Sequence, residues 1–328
     1  MTENFKKEHC DVAVIGAGPS GLSAAITLKK SKIQGVVVLE REAEAGGIPR
    51  HCGHPPFGIR EFQRVLTGPK YAKKLVETAQ NAGVIIALKT SVTMLNPEGG
   101  LNLTSPEGTK QLTAKRVLLA TGIRETPRSA RLVSGSRALG ICTTGALQSM
   151  VYLKNRIPFR RPIVIGTEIV SFSALLTCRS AGIQPVAMLE EKVRPNVRWP
   201  IFQLTRWLGV PLLLQTKIVT ILGKERVEAV EVSDENGQVH KIICDGVLFT
   251  GQYTPESSLA RISHLELDPK TNSPVVDQFG RCSDPAYYAA GNIVQPPRDQ
   301  AKVPIFYTAE NLPNPVKDAG KCWSQGCS

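Results

Sequence analysis

The stretch Gly46-Gly47-Ile-Pro-Arg50-His51-Cys52-Gly-His54-Pro-Pro-Phe-Gly58 sets a guanidinium, two imidazoles and a thiol within five positions. Three chemistries draw on such a set. A tetrahedral metal site needs three or four ligands within reach. No second cluster of His and Cys accompanies this one, because His240 and His264 stand in unrelated segments, so no metal is assigned. A thiol relay needs a second cysteine. The eight cysteines fall at 10, 52, 142, 178, 244, 282, 322 and 327 with no CxxC among them, and Cys52 is alone in its segment. Cys322 and Cys327 are spaced for a pair, but at the far end of the chain. The third reading is a rigid polar wall. Pro49, Pro55 and Pro56 restrict the backbone, and Arg50, His51 and His54 offer donors. The plain alternative is a pair of structural histidines bonded to backbone carbonyls.

What precedes the stretch says what a wall would enclose. Val12–Ile15 is an apolar strand. Gly16-Ala17-Gly18-Pro19-Ser20-Gly21 follows, then a helical run from Leu22 to Lys30, then the apolar Val36–Leu39 ending on Glu40. Strand, GxGxxG, helix, strand and acid form one dinucleotide-binding unit. Gly16 makes the tight turn, Gly18 lets the backbone approach a pyrophosphate, and Gly21 lets helix and strand pack closely. The helix N-terminus offers free N–H groups to phosphate, and Glu40 is placed for ribose hydroxyls.

The unit repeats. An offset of 150 residues aligns Val14-Ile15-Gly16 with Val164-Ile165-Gly166, Ser23-Ala24 with Ser173-Ala174, and Leu39-Glu40 with Leu189-Glu190. The rear copy is unfaithful at two glycines: Glu168 replaces Gly18 and Ser171 replaces Gly21. A carboxylate where a pyrophosphate must approach costs free energy on the order of kcal/mol. The rear unit is therefore expected to keep the fold and refuse NAD(P). The plain alternative is that Glu168 turns away and the dinucleotide still binds; another nucleotide, or none, also stays open there.

Ala120-Thr121-Gly122 and Val247–Gly251 close apolar strands that carry the chain between the units, and Tyr287–Asn292 is a further short strand ending in glycine. The expected organisation is an α/β protein of two Rossmann-like domains: residues 1–123 and 247–328 in the first, 124–246 inserted as the second. Glu231–Cys244, centred on Asn236-Gly237, reads as a hairpin. Residues 302–316, rich in proline and aromatics, read as a surface loop or partner contact.

The chain's 328 residues hold 42% apolar and 21% charged side chains, with 40 Lys and Arg against 28 Asp and Glu, a net charge of +12. Basic pairs such as Lys73-Lys74 and Arg160-Arg161 are dispersed and not interleaved with aromatics, which argues against nucleic acid. The charge suits an acidic protein partner; a solvated surface is the plain alternative. No apolar run reaches the roughly 18–20 residues of a membrane span, the N-terminus lacks a signal-peptide pattern, and scattered cysteines fit a reducing cytoplasm.

The glycine turn, Glu40-Arg41, Gly46-Gly47, Ala120-Thr121-Gly122 and Ala290-Gly291-Asn292 together resemble the pyridine nucleotide-disulfide oxidoreductase-like FAD proteins, over nearly the whole chain. The 46–58 stretch with REFQRVLTGPKYAKKLV after it, VIGTEIVSFSALLT, and YYAAGN with DAGKCWSQG are more specific. They resemble the FAD-binding α-type subunit of heteromeric flavin dehydrogenases, the group of opine oxidase, hydrogen cyanide synthase and D-hydroxyproline dehydrogenase. The resemblance implies FAD in the first domain, held by Gly16, Gly18, Pro19, Ser20, Gly21, Glu40, Gly47, Ala120, Thr121, Gly122, Gly291 and Asn292. It implies backbone reading of adenine at Val92, stacking or plain solvation of Arg41, and a flavin-side wall containing Arg50, His51, Cys52 and His54. Asn292 stands where many relatives have an aspartate near the ribityl chain.

The resemblance also implies partners: a flavoprotein subunit similar to D-amino acid oxidases, and a small protein that carries any [2Fe-2S] cluster. Related chains usually continue past the tryptophan-glycine segment into a helix. This one departs there, and 296–315 looks inserted, so a fragment, a split gene or a completing partner is expected. The expected function is an FAD subunit relaying electrons in an amino- or imino-acid dehydrogenase. The alternatives are a self-contained NAD(P)H-dependent reductase and a non-catalytic assembly subunit with structural nucleotides.

Overall fold

The computed structural model describes residues 7–294. The segments 302–316 and 296–315 and the cysteines 322 and 327 lie outside the described residues.

An apolar run flanked by parallel neighbours must be buried on both faces, and the last four residues of strand Lys7–Ile15, from Val12 on, meet that condition. The strand lies parallel between Val36–Leu39 and Gly108–Leu119, with Val14 opposite both Val38 and Leu118. Seven strands make this front sheet. The front helix, Pro19–Lys30, lays Leu22, Ala25 and Ile26 on one face of it, beside Tyr71 and Leu75 of the helix Gly68–Asn81. On the other face a second cluster gathers around Leu101, Leu119 and Tyr287.

Strand Gly108–Leu119 changes partner midway. Its first half pairs antiparallel with Gly100–Ser105, and its last residues pair parallel with Tyr287–Ala289, Tyr287 opposite Val117. Tyr287 is fully buried, and its hydroxyl donates to the carbonyls of Asn96 (2.6 Å) and Gly100 (3.0 Å).

The rear unit repeats the plan in register. Strand Pro162–Ile165, helix Ile169–Ser180 and strand Ala187–Leu189 stand where the offset puts them. Five parallel strands form the rear sheet, in the order Leu212–Leu213, Ala187–Leu189, Pro162–Ile165, Gly246–Phe249, Ile141–Thr143. Its core is built on Phe172, Leu175, Met188 and Leu248. A smaller sheet of four strands contains the expected hairpin, as Ala229–Ser233 and Val239–Ile243. In its turn Asp234 accepts the N–H groups of Asn236 and Gln238, and Gly237 takes a φ of +75°.

One boundary moves. Strand Gly246–Phe249 pairs with Pro162–Ile165 and Ile141–Thr143 in the rear sheet, so a first domain resuming at 247 is corrected. The reason is burial: all four residues are enclosed, and only the middle of a parallel sheet encloses both faces of such a run. The chain crosses between sheets through a two-stranded ribbon, Ile123–Glu125 against Tyr253–Pro255. Arg124 pairs with Glu256 there, and the Gly122 carbonyl accepts the Glu256 N–H.

Replacing Tyr287 with Phe removes the single hydroxyl donor that the part-buried Asn96 and Gly100 carbonyls share. The variant should lose about 1–2 kcal/mol in urea denaturation, with unchanged far-UV dichroism; an unchanged midpoint would contradict this role.

Candidate functional site

Four segments converge on the N-terminus of the front helix. Gly16 takes a φ of +107°, and a Cβ there would sit 2.6 Å from the Ala120 carbonyl oxygen. A Cβ at Gly21 would land inside the Gly16 carbonyl oxygen, so only glycine lets the helix lie this close to the strand. Gly47, at a φ of +62°, would put a Cβ 2.8 Å from the Gly18 Cα, and Gly46 donates to the Ala17 carbonyl (2.8 Å). Gly291 packs on the Ser20 side chain. Gly18 is the exception. Its φ of −79° suits any residue, and a Cβ there meets nothing within 4 Å. Gly122 faces open space likewise. Pro19 starts the helix at a position that needs no N–H.

The acid that ends the second strand is already at work. Glu40 is buried; it accepts the Ala17 N–H through Oε2 and the Glu42 N–H through Oε1, both 2.9 Å. It holds the glycine turn open and keeps lone pairs for a ribose. Arg41 is exposed beside Glu42. Val92 lies in strand Ser91–Asn96 at a break in register, its main chain opposite Leu103, while Thr90 ties that edge to the Glu40 carbonyl. Ala120 donates to the Ile15 carbonyl and Thr121 Oγ1 to the Glu256 carbonyl (2.7 Å). Asn292 Oδ1 is buried with no hydrogen-bond partner among the described residues. An open cradle of N–H groups, a ribose-side carboxylate and an orphaned acceptor fit a flavin dinucleotide. Gly18, Gly47 and the first turn of the helix would take its phosphates, and Asn292 a hydroxyl.

The stretch from Gly46 to Gly58 is a strap between the two units. Arg50 is turned to Glu44, with a 2.7 Å ion pair and a bond to the Glu44 carbonyl. Cys52 lends its thiol to the Ile48 carbonyl (3.5 Å) and to Gln148 Oε1 (3.6 Å). Gln148 Nε2 donates to Ser173 Oγ (2.8 Å), and Ser173 Oγ lies 2.5 Å from His54 Nε2. His54 Nδ1 faces the Pro55 carbonyl at 2.8 Å. The network closes without an orphan if His54 is neutral, donating from Nδ1 and accepting the Ser173 hydroxyl proton at Nε2. The outer edge of the Tyr152 ring lies against Gly53. Gln148, Tyr152 and Ser173 are therefore functional neighbours that sequence reasoning missed. Ser173 carried one signal, its alignment with Ser23 in the repeat; Gln148 and Tyr152 carried none.

The thiols of this region are held neutral. Burial pushes Cys52 and Cys142 up to about 12, with Glu125 adding to both. His51 goes the other way: burial, then the neighbouring Arg50 charge, lower it to about 4. Glu125, at the end of the crossing ribbon, accepts the Gly145 N–H (2.7 Å), has no hydrogen-bond partner for its buried Oε1 among the described residues, and is raised by burial.

The rear turn differs at one point. Gly166 (φ +110°) and the Gly166 N–H to Leu189 carbonyl bond copy the front, and Glu190 copies Glu40 by accepting the Thr167 hydroxyl and the Lys192 N–H. The Glu168 carboxylate, however, folds over the turn. A Cβ on Gly166 or on Gly251 would collide with it. Ser171 Oγ and Thr250 Oγ1 approach its Oε2 at 3.3 and 3.4 Å. Burial, and then Glu190, raise its pKa, while Arg131 works against them. Arg131 spans the same mouth, donating to the carbonyls of Thr126, Thr250 and Gly251 at 2.8, 3.0 and 2.6 Å.

Two outcomes follow for the front site. Gly18→Ala should keep folding stability within about 1 kcal/mol and weaken FAD binding at least ten-fold, whereas Gly21→Ala should destabilise the apoprotein by about 3 kcal/mol or more; titrating each with FAD and with urea separates them. For His51, the unfolded chain takes up the proton near its ordinary pKa of 6.5 and the folded chain only near 4. Stability is thus lost as pH falls through this window, by up to about 1.4 kcal/mol per pH unit, and His51→Gln should remove that part of the slope in urea unfolding of the apoprotein.

Residues 10–312 match the sequence profile of the pyridine nucleotide-disulphide oxidoreductases. An opine oxidase subunit from Agrobacterium tumefaciens (strain Ach5) is 25% identical over 313 residues, covering 86% of this chain and 61% of that one. An alkyl hydroperoxide reductase subunit from Pseudomonas putida is 27% identical over 313 residues, covering 91% and 56%. The chain thus spans less than two thirds of either relative. Thioredoxin reductase from T. acidophilum has the same fold, with a TM-score of 0.73, 23% identity and 96% coverage of both chains. With the family profile running over most of its length, this chain belongs to the pyridine nucleotide-disulphide oxidoreductase family.

Proposed function

We propose that this chain is the FAD-bearing subunit of a dehydrogenase complex acting on a C–N donor of the opine or imino-acid kind, and that it relays electrons delivered by a partner flavoprotein. Glu168 is the observation that carries the reading. A self-contained reductase needs a rear turn open to the pyrophosphate of NAD(P)H, and here the chain's own carboxylate covers that turn. The similarity to the opine oxidase subunit supports the same reading. The raised thiols of Cys52 and Cys142, with no disulfide among the described residues, weigh against thiol exchange.

In this reading FAD, when bound, supplies the redox chemistry that no side chain here provides. The protein's part is to hold it. The front turn and Glu40 would fix the nucleotide half and the Gly46–Gly58 strap the other, with the Arg50 charge turned to Glu44. The partner flavoprotein would oxidise the donor amine to the imine, and the two electrons it takes up would pass to the FAD that this chain's front turn, Glu40 and strap would hold.

A self-contained NAD(P)H-dependent reductase is the second reading. Glu190, which keeps the ribose-side place of Glu40, favours it, as does likeness to the alkyl hydroperoxide reductase subunit.

Recording the flavin spectrum distinguishes the two. The FAD-loaded chain should keep its absorbance under excess NADH or NADPH, and lose it with D- or cyclic amino acids only when the partner flavoprotein is present. Bleaching by NADH alone would establish the second reading. Glu168→Ala, which vacates the rear turn, should raise NADH affinity at least ten-fold in calorimetry, the change expected for about 1.4 kcal/mol.

A further inference from the structure

The offset of 150 residues that relates the two units takes residues 41–58, which run from Arg41 through the strap, to residues 191–208, beside the turn that Glu168 covers. It begins tied to its own turn: the Asn196 N–H donates to Thr167 Oγ1 (2.9 Å) and Asn196 Nδ2 to Glu190 (3.0 Å). Val197 is buried, and Phe202, Leu204 and Leu208 pack on the rear core. From that anchored base the segment turns its largest side chains outward. Trp199 is 74% exposed and Trp207 85%, two of the three tryptophans in the chain. Arg194, Arg198 and Arg206 are exposed with them. Among the described residues none of these three guanidiniums takes part in an ion pair.

Tryptophan and arginine on a rigid base are the residue types that dominate binding energy in protein interfaces, and unpaired guanidiniums match carboxylates in a planar, bidentate way. Complementary charge decides the occupant. Between 191 and 207 stand four bases and one acid, in a chain of net charge +12, which opposes a second copy. Residues 295–328 carry four bases against three acids, so they bring no acidic surplus. The helix here, Gln203–Trp207, is a little over one turn, too short to lie in a bilayer as an amphipathic anchor.

We propose that the surface carrying Trp199, Trp207, Arg194, Arg198 and Arg206 docks an acidic face of a protein partner. Resting on the reading of function above, that partner is the oxidase-like flavoprotein subunit. The rear fold, closed to dinucleotide by Glu168, serves as the platform that recruits the electron donor.

The test uses the full chain loaded with FAD and carrying Trp323→Phe, so that Trp199 and Trp207 are its only tryptophans, and the purified oxidase-like flavoprotein subunit from the same organism. Iodide should quench both tryptophans in the free chain and lose access on complex formation. In calorimetry, Trp199→Ala with Trp207→Ala should weaken partner binding at least thirty-fold. Arg194→Gln with Arg198→Gln and Arg206→Gln should weaken it about ten-fold and flatten its dependence on salt, with FAD affinity unchanged in both variants. The proposal is overturned by tryptophans already shielded in the free chain, by a blue shift on phosphatidylserine vesicles without partner, or by undiminished partner affinity in the variants. Undiminished affinity together with amino-acid-dependent bleaching removes the docking surface and leaves the function standing. Docking through the surface with no bleaching removes the function and leaves the surface. No binding of the partner at all removes both.

Discussion

The first turn of a helix leaves backbone N–H groups with no intrahelical acceptor, and the two long helices that begin at Pro19 and Ile169 meet this constraint in opposite ways. At Pro19 the turn is built from glycines, and among the described residues nothing stands within 4 Å of where a Gly18 Cβ would be, which leaves room for an outside anion. At Ile169 the chain brings its own: the Glu168 carboxylate stands over Gly166 and Gly251. One fold, used twice, therefore yields one receptive unit and one closed unit. Arg131, bonded to three carbonyls across the rear mouth, fits this division of labour.

The closed unit is not idle. It supplies Gln148 and Ser173 to the strap, so the wall beside the front site is completed from both halves of the molecule. A buried amide between a thiol and a hydroxyl has few ways to be satisfied, and the chain Cys52–Gln148–Ser173–His54 satisfies every member. A side chain at position 53 would have to displace the Tyr152 ring, which lies where its Cβ would be.

Much of this was legible in residue order. The glycine turn, the acid after the second strand and the offset of 150 residues declare two parallel units, because each requires a residue type that little else can replace. Glu168 was visible as a departure from that pattern. What escaped was whatever depends on pairing across distance. The return strand Gly246–Phe249 reads equally well in either sheet, and only its neighbours, Pro162–Ile165 and Ile141–Thr143, decide. Gln148 has no local signature, since its role comes from standing opposite Cys52, 96 positions away. Arg50 and His54 were read as donors for a ligand; Glu44 and Ser173 engage them instead.

The strand Tyr287–Ala289 bears on how the chain is made. It completes the front sheet by pairing with Val117–Leu119, yet about 170 residues of polypeptide separate the two, on the order of a whole domain. During synthesis the glycine turn, the first helix and most of the front sheet emerge long before their last strand, while the rear unit is translated complete in the interval. Among the described residues the half built on the glycine turn is thus the last to close, with a wide loop to shut before its final contacts form. A ribosome-bound chain paused near 280 would present a finished rear unit beside a front sheet whose edge still awaits Tyr287.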